Sequence, residues 1–148
     1  MIVHFKTEEY AWLSNMYYCP VPIDGHIFPS SEHAYMSYKS DDPEWKEVCL
    51  NPNNKPQDIK TFAAKLLIKK ENWKTIRLEV MERVLIAKFT QEPLRSKLIA
   101  TGNQNIQEGN WWKDDFWGID LKKEPNYGEN HLGRLQMKIR DKLNKNEL

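Results

Sequence analysis

Ile59, Phe62, Ala63, Leu66 and Leu67 recur at the three- and four-residue spacing of a helix face, and Ile76, Val80, Val84 and Phe89 continue the pattern over residues 73–89. Two such helices commit the middle of the chain to a helical core. The flanks read differently. Residues 2–5 suit a short strand, and Ile23-Asp24-Gly25-His26-Ile27-Phe28 a hairpin, because Asp-Gly accepts the positive φ angles of a tight turn. Ser30 and Ser31 offer an N-cap for a helix over residues 32–39. Asp42-Pro43-Glu44 starts another with a cap, a first-turn proline and a first-turn acid. Residues 51–56 form a loop. Pro93 permits a short helix that Gly102 ends, residues 106–108 and 116–121 read as strands, and Leu132, Leu135, Ile139 and Leu143 share one side of a final helix. Strands this short and scattered, without βαβ alternation, define an α+β chain, mainly helical with a few short strands. The polar residues 144–148 are expected to fray.

A length of 148 residues suits a single domain over 1–148. Lysine and arginine number 22 against 21 acids, so the net charge of +1 excludes a broad basic surface for a polyanion. A nucleic-acid partner would be held at a local site. Cys19 and Cys49 are far apart and share no ligand spacing with a histidine, so reduced thiols are expected, with no metal and no cofactor. No apolar run reaches the ~20 residues of a membrane span, and the start Met-Ile-Val-His-Phe-Lys lacks a signal peptide's apolar stretch. The expectation is a cytoplasmic protein with no membrane partner.

Residues 108–118 read Glu-Gly-Asn-Trp-Trp-Lys-Asp-Asp-Phe-Trp-Gly, three of the six tryptophans in one acid-rich stretch. Burying Glu108, Lys113, Asp114 and Asp115 unpaired beside those rings would carry a heavy desolvation penalty. A polar-edged pocket for a flat ligand uses both kinds of residue. Glu108 and Asp114 bracket Trp112, and paired carboxylates around a flat site suit cleavage of a glycosidic bond. A surface loop whose tryptophans cover the core while its acids face water fits the same residues.

Glu32 and Lys39 lie seven residues apart on one expected helix, about two turns or ~10 Å of rise, so a ligand could bridge them. The residues alone favour a plainer reading, in which each suits its own end of the helix dipole. Burial beside Tyr35 and Tyr38 would depress the Lys39 pKa and give the neutral amine of Schiff-base chemistry. An exposed lysine lying over a tyrosine face is the other possibility. His33 has a range suited to proton transfer or to structural hydrogen bonding. The glycines of Gly128-Glu-Asn130-His-Leu-Gly133 precede a helix, as a phosphate site or as a turn and cap.

In order along the chain, Leu13-Ser14-Asn15, Pro29-Ser-Ser-Glu32-His33-Ala-Tyr35 with Lys39, Arg77 to Met81 with Lys88-Phe89, and Thr101-Gly102 resemble segments of the NADAR, or YbiA-like, family. So do Glu108-Gly-Asn110-x-Trp112-x-Asp114-x-Phe116-Trp117-Gly118 and Gly128-x-Asn130-x-Leu132-Gly133 with Met137 and Arg140. The Trp-x-Asp-x-Phe-Trp-Gly block joined to Gly-x-Asn-x-Leu-Gly is the specific part, and the resemblance covers nearly the whole chain. Two departures stand out: Leu-Leu-Ile-Lys-Lys follows Lys65 where many members carry Gly-Arg, and Gln136 replaces an apolar residue, a change of packing rather than chemistry.

The resemblance implies an N-glycosidase, a hydrolase acting on ADP-ribosylated guanine in nucleic acid. A ribosylamine phosphate among riboflavin-biosynthesis intermediates is the alternative substrate, and a non-catalytic ADP-ribose-binding or nucleotide-binding module the alternative role. Either substrate joins a ribosyl carbon to the nitrogen of a flat heterocycle. The resemblance makes Lys39 the covalent residue through a Schiff base, and Glu32 and Glu108 proton-managing or ribose-orienting groups. Asp114, with Asp115 as its rival, would hold a hydroxyl or base. Trp112 and Trp117 would stack, Asn15 and Asn130 would add hydrogen bonds, and Ser14, His33, Tyr35 and Gly118 would line the substrate site. A small interaction domain using its tryptophans as anchors is a third class of reading.

Overall fold

Asp24 and Gly25 take φ angles of 51° and 79°. That turn folds β1 (Tyr18–Ile23) back on β2 (His26–Ser30) as an antiparallel pair, with Ile23 opposite His26. The structure, a computed structural model, describes all 148 residues, as six α-helices, a short 3-10 helix and four short strands in two small sheets. The α+β class expected from the sequence is the class observed. The chain divides into two compact units, residues 15–88 and residues 1–14 with 89–148.

In the unit of residues 15–88, β2 runs directly into α1 (Ser31–Ser37), where the Ser30 hydroxyl accepts the His33 N–H at 3.1 Å. α2 (Pro43–Leu50) starts as its residues dictate, with Pro43 in the first turn and Asp42 Oδ1 accepting the Glu44 N–H at 3.0 Å. α3 (Pro56–Ala64) and α4 (Trp73–Phe89) complete the unit, Phe89 itself falling in the other one. α1 packs against both strands, α2 and α3. Val21, Phe28, Ala34, Ile59, Ala63, Val84 and Leu85 are buried, each large side chain worth about 1.5–3 kcal/mol relative to exposure.

Several expected boundaries shift. α1 stops at Ser37, so Lys39 lies beyond the helix rather than on its last turn. α3 stops at Ala64, leaving Leu66 and Leu67 outside it. Ile59 and Ala63 keep their place in the core, whereas Phe62 is exposed and Leu67 wholly so. The helical spacing holds for Ile59 and Ala63 only, because α3 ends before the pattern does. Phe62, Leu66, Leu67 and Ile68 instead line a cavity of about 460 Å³ with Trp45 and Val48. α4 carries the longer pattern as expected, with Val80 and Val84 buried and Ile76 half-buried.

The other unit holds the 3-10 helix Ala11–Leu13, α5 (Leu94–Ala100), β3 (Gly109–Asn110), β4 (Ile119–Asp120) and α6 (His131–Asn144). The strand expected at residues 2–5 is reduced to a single parallel bridge between Ile2 and Ile106. The strand expected at residues 106–108 forms only that bridge at Ile106, the two-residue β3 following it instead, and the strand expected at residues 116–121 shortens to β4, which pairs with β3 in parallel. Side-chain bonds supply much of the order that longer ladders would give. Arg140 Nη1 donates to Thr101 Oγ1 at 2.9 Å and to the Gln104 carbonyl at 2.8 Å, tying α6 to the end of α5. Gln136, the departure noted in sequence, is fully buried and donates to the Leu13 carbonyl at 2.7 Å. No helix is long and apolar enough to cross a membrane, and both cysteines are free thiols.

Candidate active site

Within residues 15–88, the candidate residues gather at the start and the end of α1. Asn15 fastens the start: its carbonyl accepts the Glu32 N–H at 3.0 Å, and its Oδ1 accepts from the Ser31 hydroxyl at 3.0 Å. Its Nδ2 rests 3.6 Å from the Met81 sulfur. Glu32 is thereby fixed in the first turn, where the helix dipole favours its charge, and its side chain is buried. Burial and then the Glu32 carboxylate push the neighbouring Cys49 thiol up to about 12, which keeps that sulfur inert.

Lys39 is held by its backbone, its N–H donating to the Met36 carbonyl at 3.1 Å and its carbonyl accepting the Lys70 N–H at 2.9 Å. Burial and then the positive charge of Lys69 hold its amine below the ordinary lysine range, while Glu32 pulls it back. The cation over the Tyr38 ring is Arg83, 5.5 Å from the ring centre. Tyr38 also donates to the Asp24 carboxylate, which Arg83 grips as well.

His33 and Tyr35 are buried beneath this turn. Both His33 ring nitrogens have partners, Ser30 Oγ at 2.6 Å and the Asn54 carbonyl at 2.7 Å, and burial holds its pKa low. Tyr35 packs its ring against Trp73 at 5.1 Å between centres.

In the second unit the acid-rich stretch folds around Asn110. Asn110 Nδ2 donates to Glu108 Oε2 at 3.1 Å and to the Asp114 carbonyl at 2.7 Å, while Oδ1 accepts the Asp114 N–H at 3.0 Å. Asp114 Oδ1 accepts the Phe116 and Trp117 N–H groups at 3.2 and 3.0 Å, an Asx-type turn. Asp115 differs: its carboxylate lies outward, 3.8 Å from Lys123. Gly118 is where it is because a Cβ there would collide with the Glu108 carboxylate and carbonyl.

The Asn130 amide is taken up by main chain, Oδ1 accepting the Glu108 N–H at 3.0 Å and Nδ2 donating to the Ile106 carbonyl at 2.9 Å. Its backbone is left-handed at φ 53°, so the segment before α6 acts as a turn and brace. Trp111 and Trp112 are nearly half exposed, Trp112 beneath the Lys6 ammonium at 5.2 Å. Trp117 stacks edge-on against Phe116, which also meets His131. Ser14 closes the short 3-10 helix through its N–H to Ala11.

Two residues of these groups were not singled out as site residues in the sequence. Asn110 was detectable, since residues two apart on a strand share a face and Asn110 stands two after Glu108. Lys69 had no such signal, being one of five lysines between residues 60 and 74. No group of three or more histidine, cysteine or acidic side chains is arranged to hold a metal ion.

A model of the NADAR domain matches residues 3–144. The chain belongs to the NADAR family. Among family relatives, the N-glycosidase YbiA of Escherichia coli is 28% identical over 145 residues, which cover 96% of this chain and 88% of that protein. A riboflavin biosynthesis protein of Vibrio vulnificus is 34% identical over 137 residues, but the chain spans only 36% of that protein's length. The NMR structure of E. coli YbiA superposes with a TM-score of 0.84 at 27% identity, covering 99% of this chain and 87% of that one. The fold is therefore shared over nearly the whole of this chain.

Proposed function

We propose that this chain is an N-glycosidase that hydrolyses the bond between ribose and a base nitrogen, with ADP-ribosylated guanine in nucleic acid as its substrate. The observation that carries the reading is Lys39: an amine below the ordinary lysine range, fixed by two backbone hydrogen bonds and within electrostatic reach of the buried Glu32. The family relatives named N-glycosidases support the same class of reaction.

The lone pair of the base nitrogen expels the ribose ring oxygen, which takes a proton from water, and the neutral Lys39 amine adds to the anomeric carbon of the iminium so formed. The Glu32 carboxylate takes the proton released as the nitrogen becomes substituted, and returns it to the base nitrogen as the carbon–nitrogen bond breaks. The base departs with the bonding pair, leaving a lysine iminium. Water adds to that carbon, its proton passes to the Lys39 nitrogen as the amine leaves, and the released sugar aldehyde, still joined to its ADP, recloses as ADP-ribose. Glu108 orients the ribose hydroxyls as an ionised carboxylate, and Asp114 offers Oδ2, its Oδ1 being committed to the turn.

Trp112 stacks on the heterocycle, while Trp117 and Gly118 shape the surrounding loop. Ser14, Asn15, His33, Tyr35 and Asn130 act by holding these groups in place. A ribosylamine phosphate is the second substrate reading, favoured by the riboflavin biosynthesis relative. A module that only binds nucleotides has no need of Glu32, Lys39, Glu108 and Asp114 together.

The test incubates purified protein with ADP-ribosylated DNA and, separately, with a ribosylamine phosphate, following loss of the ribosyl group by mass spectrometry. Turnover with a borohydride-trapped adduct on Lys39 is expected. Glu32→Gln should slow it by roughly 10²–10⁴-fold. Turnover of neither substrate would sink the enzyme reading, and full activity in Lys39→Ala would remove the Schiff base.

A further inference from the structure

Asn110 is completely buried, yet every polar atom of its side chain is committed to the two acids of the tryptophan stretch. Its amide nitrogen meets a Glu108 carboxylate oxygen, the Glu108 carbonyl and the Asp114 carbonyl, and its oxygen takes the Asp114 N–H. The Glu108 carboxylate lies close against Gly118. A Cβ on Gly118 would overlap Oε2 itself, so that oxygen lies in the space that the missing side chain leaves, and the Glu108 backbone is braced from the other side by Asn130.

We infer that Asn110 is a positioning residue for the proposed glycosidase reaction, aiming the Glu108 carboxylate and holding it ionised while locking the Trp111 to Asp114 loop to the same point. The inference rests on the role proposed for Glu108. The physical ground is that an amide N–H donates better to a carboxylate than to a carboxylic acid, and so favours the charged form. An asparagine that only closed the loop would need its two bonds to Asp114. The bond to Oε2 adds nothing to loop closure.

Two variants separate these roles. Asn110→Ala removes all the bonds. Asn110→Asp keeps the acceptor for the Asp114 N–H but sets a carboxylate against Oε2, and only when protonated can the new group donate to it. The Glu108 side chain is titrated by ¹³C NMR, and kcat/KM is followed against pH with ADP-ribosylated DNA. In Asn110→Ala the Glu108 midpoint and the acid limb of the profile should both move upward by about one pH unit. In Asn110→Asp the deficit relative to wild type should be roughly tenfold at neutral pH and shrink as the pH falls. A Glu108 midpoint unmoved in both variants would overturn the inference, and the NMR reading stands even if neither substrate is turned over, which would instead sink the proposed function. Should the single variants fail to fold, the wild-type protein still decides: its Glu108 midpoint should lie below the ordinary glutamate value, and a midpoint at or above that value would count against the pairing.

Discussion

Lys39 draws its character from three influences, burial and two charged neighbours. Burial and the Lys69 charge depress it, and Glu32 opposes them. A neutral amine is the attacking form, so the proposed reaction should speed up as the pH rises through the depressed Lys39 value. Lys69→Gln removes one depressing influence without touching the proposed chemistry. The alkaline shoulder of its rate profile should move to higher pH, with activity at pH 7 roughly threefold lower, as a partly screened charge pair implies. An unmoved shoulder would mean that Lys69 does not reach Lys39. The sequence made Lys39 legible through its distance from Glu32 and through family order. It hid Lys69, because nothing in a run of lysines says which one a distant turn will meet. It also assigned His33 and Asn130 to the substrate, since hydrogen-bonding side chains look alike until their partners are seen. Both spend their polar atoms on protein groups.

At the scale of elements, caps were the most legible feature. Ser30, Asp42 with Pro43, and the Asp24-Gly25 turn all act as their chemistry requires, because each depends only on residues within a few positions. Apolar periodicity served less well where an element is short. Phe62 and Leu67 fit the spacing of Ile59 and Ala63 but lie outside the core, since α3 ends before the pattern does. Ile59→Ala should therefore cost about 2–5 kcal/mol in denaturant unfolding, while Leu67→Ser should change stability by no more than ~0.5 kcal/mol. Comparable losses in the two variants would contradict the placement of residues 65–68. The strands were the least legible elements. Two-residue pairings such as Gly109–Asn110 with Ile119–Asp120 leave no alternation to read, and side chains such as Asn110 and Asn130 hold what the ladders do not.

For the whole molecule, the α+β class followed from element lengths and order, and NADAR membership from motifs spread along nearly all of it. The division into two compact units was not foreshadowed. One of its two boundaries falls at Lys88, inside the unbroken helix α4, where no proline, glycine or change of composition marks it. Lys88 is fully buried on that helix, its ammonium 6.0 Å from the Tyr17 ring centre, and desolvation lowers its pKa to about 8 although Cys19 partly offsets this. A lysine that ionises less readily in the folded chain than in the unfolded one weakens the fold. That penalty is fully present below about pH 8 and gone above its ordinary value of 10.5. Measured against Lys88→Met, the wild type should gain roughly 3 kcal/mol of relative stability between pH 7 and pH 10.5. A difference that stays constant with pH would refute it. Between those limits each chain that folds also releases a proton, so its heat of folding should depend on the ionisation enthalpy of the buffer around it.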